Sequence, residues 1–250
     1  MKTTTLIAAM LLSAASVFAS EKVDTKFQLY HGSDKGNFAE WQTDAKSQWG
    51  FDINTPDGYS KGYMLNAIVY DDPSALSGIS TTNYATYLVS KDKNCMILLP
   101  CFEYEQGFTR RTEIMPLIKR EISNAMGCEQ KDLQNADFDS VITSLSATAA
   151  KRLANADRLY VVDFPLTKPI DKKWTHCQGI YMEKDGRPAM TVKVLYSDKG
   201  FGRANSVMSD ALGIMKYDSR TDWVWPKLYK DRLQEGIAQK IAKNKNVAGK

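Results

Sequence analysis

Two apolar runs, Cys177 to Glu183 and Ala189 to Tyr196, flank the pair Asp185-Gly186. Asp-Gly supplies the positive backbone angles of a tight hairpin turn, so the two runs are predicted to pair as antiparallel neighbours. Pro188 has no amide hydrogen and must sit where the ladder needs no donor. A hairpin of this kind demands a sheet, and the rest of the chain says what accompanies it.

Cys95-Met96-Ile97-Leu98-Leu99 is continuously apolar between Asn94 and Pro100, the pattern of a strand covered on both faces. Arg158 to Phe164 reads as another strand, closed by Pro165. Helical spacing is seen from about Thr112 to Met126, where Ile114, Leu117, Ile118, Ile122 and Met126 share a face. There Pro116 is tolerated in the first turn and Gly127 is a terminator. Val141, Ile142, Leu145, Ala149 and Leu153 predict a second helix over about 139–154, with Asp137 or Asp139 as its cap. A third is expected from about Arg203 to Met215. A fourth starts near Pro226, with Tyr229, Leu233, Ile237 and Ile241 buried. Asn83 to Ser90 is compatible with a short helix.

Before these elements lies an aromatic zone, Phe27 to Tyr70, punctuated by Gly32, Gly36, Gly50, Gly58 and Gly62. Short strands joined by tight turns are expected there, the clearest being Tyr63 to Tyr70, ended by Asp71-Asp72-Pro73. The expected fold is therefore α+β: a mixed or antiparallel sheet, an aromatic-rich β N-terminal part and about four helices. Residues 20–243 are expected to form one domain, with a sub-boundary near 71–82, and 244–250 a flexible basic tail.

Residues 1–19 read as an export signal. Lys2 precedes an apolar run from Leu6 to Leu12, and Val17-Phe18-Ala19 suits signal peptidase. The apolar run falls short of the roughly 20 residues that span a bilayer. No cysteine lies near the cleavage point, which speaks against a lipoprotein, and no later segment is long and apolar enough to cross a membrane. The expectation is an exported protein, periplasmic or secreted. The formal net charge of +4 falls to +3 once Lys2 is removed, too little to predict a nucleic-acid partner.

Four cysteines in an exported chain allow two disulfides. Cys95 and Cys101 would stand roughly 20 Å apart in a continuous strand, at about 3.3 Å per residue. Unless the chain turns at Pro100, that is too far to bond. Cys95 and Cys177 both lie in strand-like runs and are a possible pair; buried free thiols are the alternative. His176 beside Cys177 suggests a nucleophile and its base. Adjacent side chains of a strand point to opposite faces, however, which opposes that contact.

The segment "CFEYEQGFTRR" opens where the Cys95 strand ends. Glu103 and Glu105 with Arg110 there are candidates for a carboxylate pair of separated acidity, as a hydrolase uses. Lys199-Gly200-Phe201-Gly202-Arg203-Ala204-Asn205 imitates the start of a dinucleotide loop, but Asn205 takes the third glycine position and the preceding strand belongs to a hairpin. No H-x-x-x-H, C-x-x-C or G-x-S-x-G occurs, so no metal and no cofactor is predicted. Trp41, Trp49 and Tyr59 are candidate ligand-binding rings, of the kind that stack on sugar faces or enter a partner's pockets. The leading expectation is an exported, non-enzymatic binding or interaction protein with a protein or glycan partner. A hydrolase built on Glu103/Glu105 with Arg110 and a structural component of an envelope assembly are the alternatives.

Overall fold

The computed structural model describes residues 38–63, 84–100, 114–126, 138–170 and 172–225. The leader, Tyr229 to Ile241, the tail, Glu103, Glu105, Arg110, Cys101, Cys128 and the 71–82 sub-boundary lie outside the described residues. Five helices and nine strands are seen among the described ones. The helices are α1 (Phe38–Ser47), α2 (Met115–Met126), α3 (Ala147–Ala154), α4 (Asp198–Phe201) and α5 (Ala204–Ile214). The strands are β1 (Phe51–Ile53), β2 (Tyr59–Tyr63), β3 (Tyr84–Ser90), β4 (Cys95–Pro100), β5 (Ile142–Ser144), β6 (Arg158–Phe164), β7 (His176–Glu183), β8 (Met190–Tyr196) and β9 (Met215–Tyr217).

Seven strands form one sheet in the order β2-β3-β4-β8-β7-β6-β5, and every pairing is antiparallel. β1 and β9 make a separate antiparallel ribbon. The class is α+β. The predicted hairpin is β7–β8, registered from His176↔Tyr196 to Met182↔Met190, with Gly186 at φ +76° in its turn. β8 then lies beside β4, so two strands buried at every position share the centre of the sheet.

Both faces of the sheet are covered. On one face Trp41, Trp49 and Phe51 pack with Leu88, Cys95, Ile97, Ile180, Val192 and Val194, and α3 and α5 add Ala150, Ala154, Val207 and Ala211. On the other, Leu117, Ile118 and Ile122 of α2 pack with Leu98, Val162, Phe164, Cys177, Tyr181 and Leu195. No described helix is long and apolar enough to cross a membrane.

Three local expectations are corrected. Within the aromatic zone, Phe38–Ser47 is a helix, α1, because Phe38, Trp41 and Ala45 recur at helical spacing and are its buried residues. Tyr84–Ser90 is a strand between β2 and β4 rather than a short helix. The expected helix over 139–154 is split. Ile142–Ser144 forms the edge strand β5 against Tyr160–Val162, and the helix begins only at Ala147. Ser146 caps it, its hydroxyl accepting from the Ala149 amide at 3.3 Å, and Asn155 closes it in a left-handed conformation.

The sheet carries one charged centre in its interior. Lys193 on β8 and Glu121 on α2, both without side-chain exposure, meet at 2.7 Å. The Tyr181 hydroxyl lies between them, hydrogen-bonded to both. The ammonium also stands 4.0 Å from the centre of the Phe164 ring. Gly179, directly opposite Lys193 in the ladder, leaves room for this cluster. A Cβ there would come within 2.7 Å of the Tyr181 ring and 3.2 Å of the Lys193 Nζ.

Candidate functional site

The structure gives the sequence candidates different fates. Trp41 has no exposure and its indole N–H donates to the Pro100 carbonyl at 2.8 Å; Trp49 is 2% exposed. These two rings belong to the core, which corrects their reading as a binding platform: neither can stack on a ligand without opening the interior. Tyr59 is half-buried and donates to Asp210 Oδ2 at 3.1 Å. Cys95 and Cys177 are free thiols. Cys95 packs on the α1 face and Cys177 on the α2 face, with β8 between their strands, so the possible disulfide is corrected by opposite strand faces. Burial pushes the Cys177 thiol up to about 12 and raises that of Cys95, so neither is activated. His176 points away from Cys177 and stacks on Phe201, with ring centres 3.8 Å apart and planes 10° apart.

That stack sits in a charged setting. At one end of the sheet three segments come together: the β3–β4 turn, the stretch leading into β7, and α4 with its following turn. Ser197 joins the first to the third, its amide donating to the Asn94 carbonyl at 3.0 Å and its hydroxyl to Asn94 Oδ1 at 2.9 Å. Thr175 joins the second to the third through its hydroxyl, 2.6 Å from Asp198 Oδ1. Arg203 reaches back to Asp92 at 2.5 Å. Gly200 allows the close approach; a Cβ there would lie 2.9 Å from the Asn94 carbonyl carbon and 2.9 Å from the Cys95 sulfur.

The described residues of these segments carry Lys91, Lys93, Lys172, Lys173, Lys199 and Arg203 against Asp92 and Asp198, and Asp171 adjoins Lys172 in the sequence. Both carboxylates are engaged. Asp92 accepts hydrogen bonds from Asn94 and Ser90 as well as the Arg203 pair, and its carboxyl is held below the usual range. Asp198 accepts from Thr175 and lies 3.5 Å from the His176 Nε2. Partial burial lowers the pKa of Lys173, whose ammonium sits 4.3 Å over the Trp174 ring, and the charge of Lys93 lowers it further. Lys93 and Lys173 feel each other's charge, and the lysines here outnumber the carboxylates that are already engaged, which makes this end attractive to anions. In its midst Phe201 is a large apolar side chain 40% exposed, braced by His176 on its face and Tyr196 at its edge.

None of these lysines forms a run in the sequence, so no local motif marks the surface. The only signals are the doubled lysine at 172–173 and the exposed-turn composition of 91–94. The pseudo-dinucleotide stretch Lys199 to Asn205 resolves into a four-residue helix, a turn and the start of α5. No group of three or more metal-ligating side chains exists among the described residues. Comparison with protein-family models, with curated proteins and with solved structures yields no match, so this surface is interpreted from its own chemistry.

Proposed function

We propose that the protein is an exported, non-enzymatic binding protein that holds an anionic glycan against the basic end of its sheet. The observation that carries this reading is the exposed, braced Phe201 ring at an end of the sheet whose described segments carry five lysines, with Asp92 already paired to Arg203 and Asp198 to Thr175 and His176. An aromatic face packs against the C–H face of a sugar, and lysine ammoniums meet its acidic groups. A rigid platform lowers the ordering cost of binding, and the His176 stack, the Ser197–Asn94 bonds and the Arg203–Asp92 pair supply that rigidity. Among the described residues Glu121, Tyr181 and Lys193 are gathered in the interior without a surface to meet a substrate, so the reading asks no chemistry of them.

The test is binding of a uronic-acid polysaccharide, polygalacturonate, with uncharged dextran as control. Retention of the polyuronate and not of dextran is expected, weakening as salt screens the lysines. Phe201→Ala should lower affinity about tenfold, a loss on the order of 1.4 kcal/mol. The double variant Lys93→Gln/Lys173→Gln should flatten the salt dependence. Equal binding of both polymers, or unchanged polyuronate affinity in Phe201→Ala, would sink the proposal.

A further inference from the structure

A second cationic feature lies away from that surface, along α3. Ala147, Thr148, Lys151 and Arg152, together with Ala156 and Asp157 beyond the helix, line an open groove of about 720 Å³. The groove is wide open to solvent, so a ligand there would be held by charge rather than by enclosure. Lys151 and Arg152 are exposed, and no carboxylate among the described residues pairs with either. Asp157, the acidic residue of the lining, accepts the Asp185 amide at 2.8 Å. Lys184 brings a third cation beside Lys151: its ammonium is pinned at 2.9 Å to the carbonyl of Asn155, the residue that closes α3. Arg187, held to Asp218 at 3.0 Å, lies on the same side.

We propose that this groove is a separate ligand site that takes the oxyanion group of a small molecule, seated by Lys151 and Lys184 with Arg152 alongside. Two ammoniums held together repel, and an anion between them removes that cost and gains a charge-assisted contact with each. The state of Lys184 agrees. Burial and then the charge of Lys151 lower its pKa, Arg187 lowers it further, and Asp157 offsets this in part. The Tyr217 ring covers it from β9 at 5.9 Å. A bound anion raises a depressed ammonium pKa, so binding takes up a proton where free Lys184 is partly neutral. Affinity is full while Lys184 is protonated and falls as pH rises through its lowered pKa.

Sulfate is the first probe, because its charge stays constant over the relevant pH range; acetate is the second. Each is titrated into the mature protein at constant ionic strength, with backbone amide shifts as the readout. Saturable shifts confined to the residues around Thr148, Lys151 and Arg152 are expected. Stronger binding of sulfate assigns the site to phosphoryl- or sulfuryl-type ligands, and stronger binding of acetate to carboxylates; either result supports it. Lys151→Gln should weaken binding at least fivefold. Lys184→Met should weaken it and also remove most of the alkaline loss of affinity, a readout that a purely structural role does not move. Lys93→Gln/Lys173→Gln should leave it unchanged, which keeps this site distinct from the glycan surface. Non-saturable shifts, or wild-type affinity in both Lys151→Gln and Lys184→Met, overturn the proposal.

Discussion

Lys193 illustrates how a single residue constrains this protein. Its ammonium is fully buried between Glu121 and the rings of Tyr181 and Phe164. A charge so placed is tolerated only with its partner present, and removing one member leaves the other uncompensated. Lys193→Met alone and Glu121→Leu alone are each expected to cost about 3–5 kcal/mol in urea unfolding, while the double variant should recover most of that loss. Additive costs in the cycle would mean the two groups are not coupled. Little of this was legible beforehand. Val192 and Val194 on either side mark a buried strand, but a lone lysine between them reads locally as a residue facing water. Its partner comes from α2, and the neighbouring Gly179 shows only in three dimensions that it makes room. Cys177, by contrast, was readable: strand alternation alone separates it from His176, and the structure puts the two on opposite faces.

The short helix α4 does its work as an element by being close to something else. Ser197 caps it by accepting the Gly200 amide at 3.2 Å, and the same serine bonds Asn94 across the gap. Gly200→Ala has no room against the Asn94 backbone and must push α4 off the β3–β4 turn. The expected outcome is a fold retained by far-UV circular dichroism, with polyuronate binding weakened more than in Lys199→Gln; equal effects would mean that the seating of α4 is unimportant. Elements were legible where one periodicity dominated, as in the β7–β8 hairpin and in α2. They were misread where two overlapped. The spacing of Val141, Ile142 and Leu145 imitates a helix. Yet the Ile142–Ser144 stretch has an unfilled sheet edge beside it, and pairing with β6 satisfies its backbone groups there. In the aromatic zone, Gly36 and Gly50 on either side of α1 carry a turn signal, while its helical spacing rests on three buried positions, Phe38, Trp41 and Ala45.

At the scale of the molecule, an ionic clamp joins the chain beyond β9 to the end of α1. Asp218 pairs with Arg187 at 3.0 Å and Arg220 at 2.5 Å, while Arg220 also donates to the Lys46 carbonyl at 2.6 Å, just before the end of α1. Trp223 closes over Arg187 at 4.8 Å and donates to the Gln48 carbonyl at 3.0 Å. Gly50, at φ +73°, passes beneath, where a Cβ would lie 2.9 Å from the Trp223 ring. Burial pushes the Asp218 carboxyl upward, but the hydrogen bonds from Arg220 and Arg187 outweigh it and the net shift is downward. A carboxyl lowered in the folded state stabilises above its unfolded pKa, near 3.9, and stops doing so as pH falls through the lowered value. Asp218→Asn is therefore expected to be less stable than wild type at neutral pH, with the gap closing below about pH 4 in thermal unfolding. A gap that persists in acid would show that the charge is not what the clamp uses.

The pairing of β4 with β8 has a further consequence. Cys95 and Tyr196, neighbours at the centre of the sheet, are about a hundred residues apart along the chain. The middle of the sheet cannot close until nearly the whole polypeptide has left the ribosome, and contacts of such long range form slowly. Until then β4 lacks the partner that covers its inner edge. In a polypeptide built this way the two halves of the sheet are made far apart in time, and its interior is completed by their late meeting.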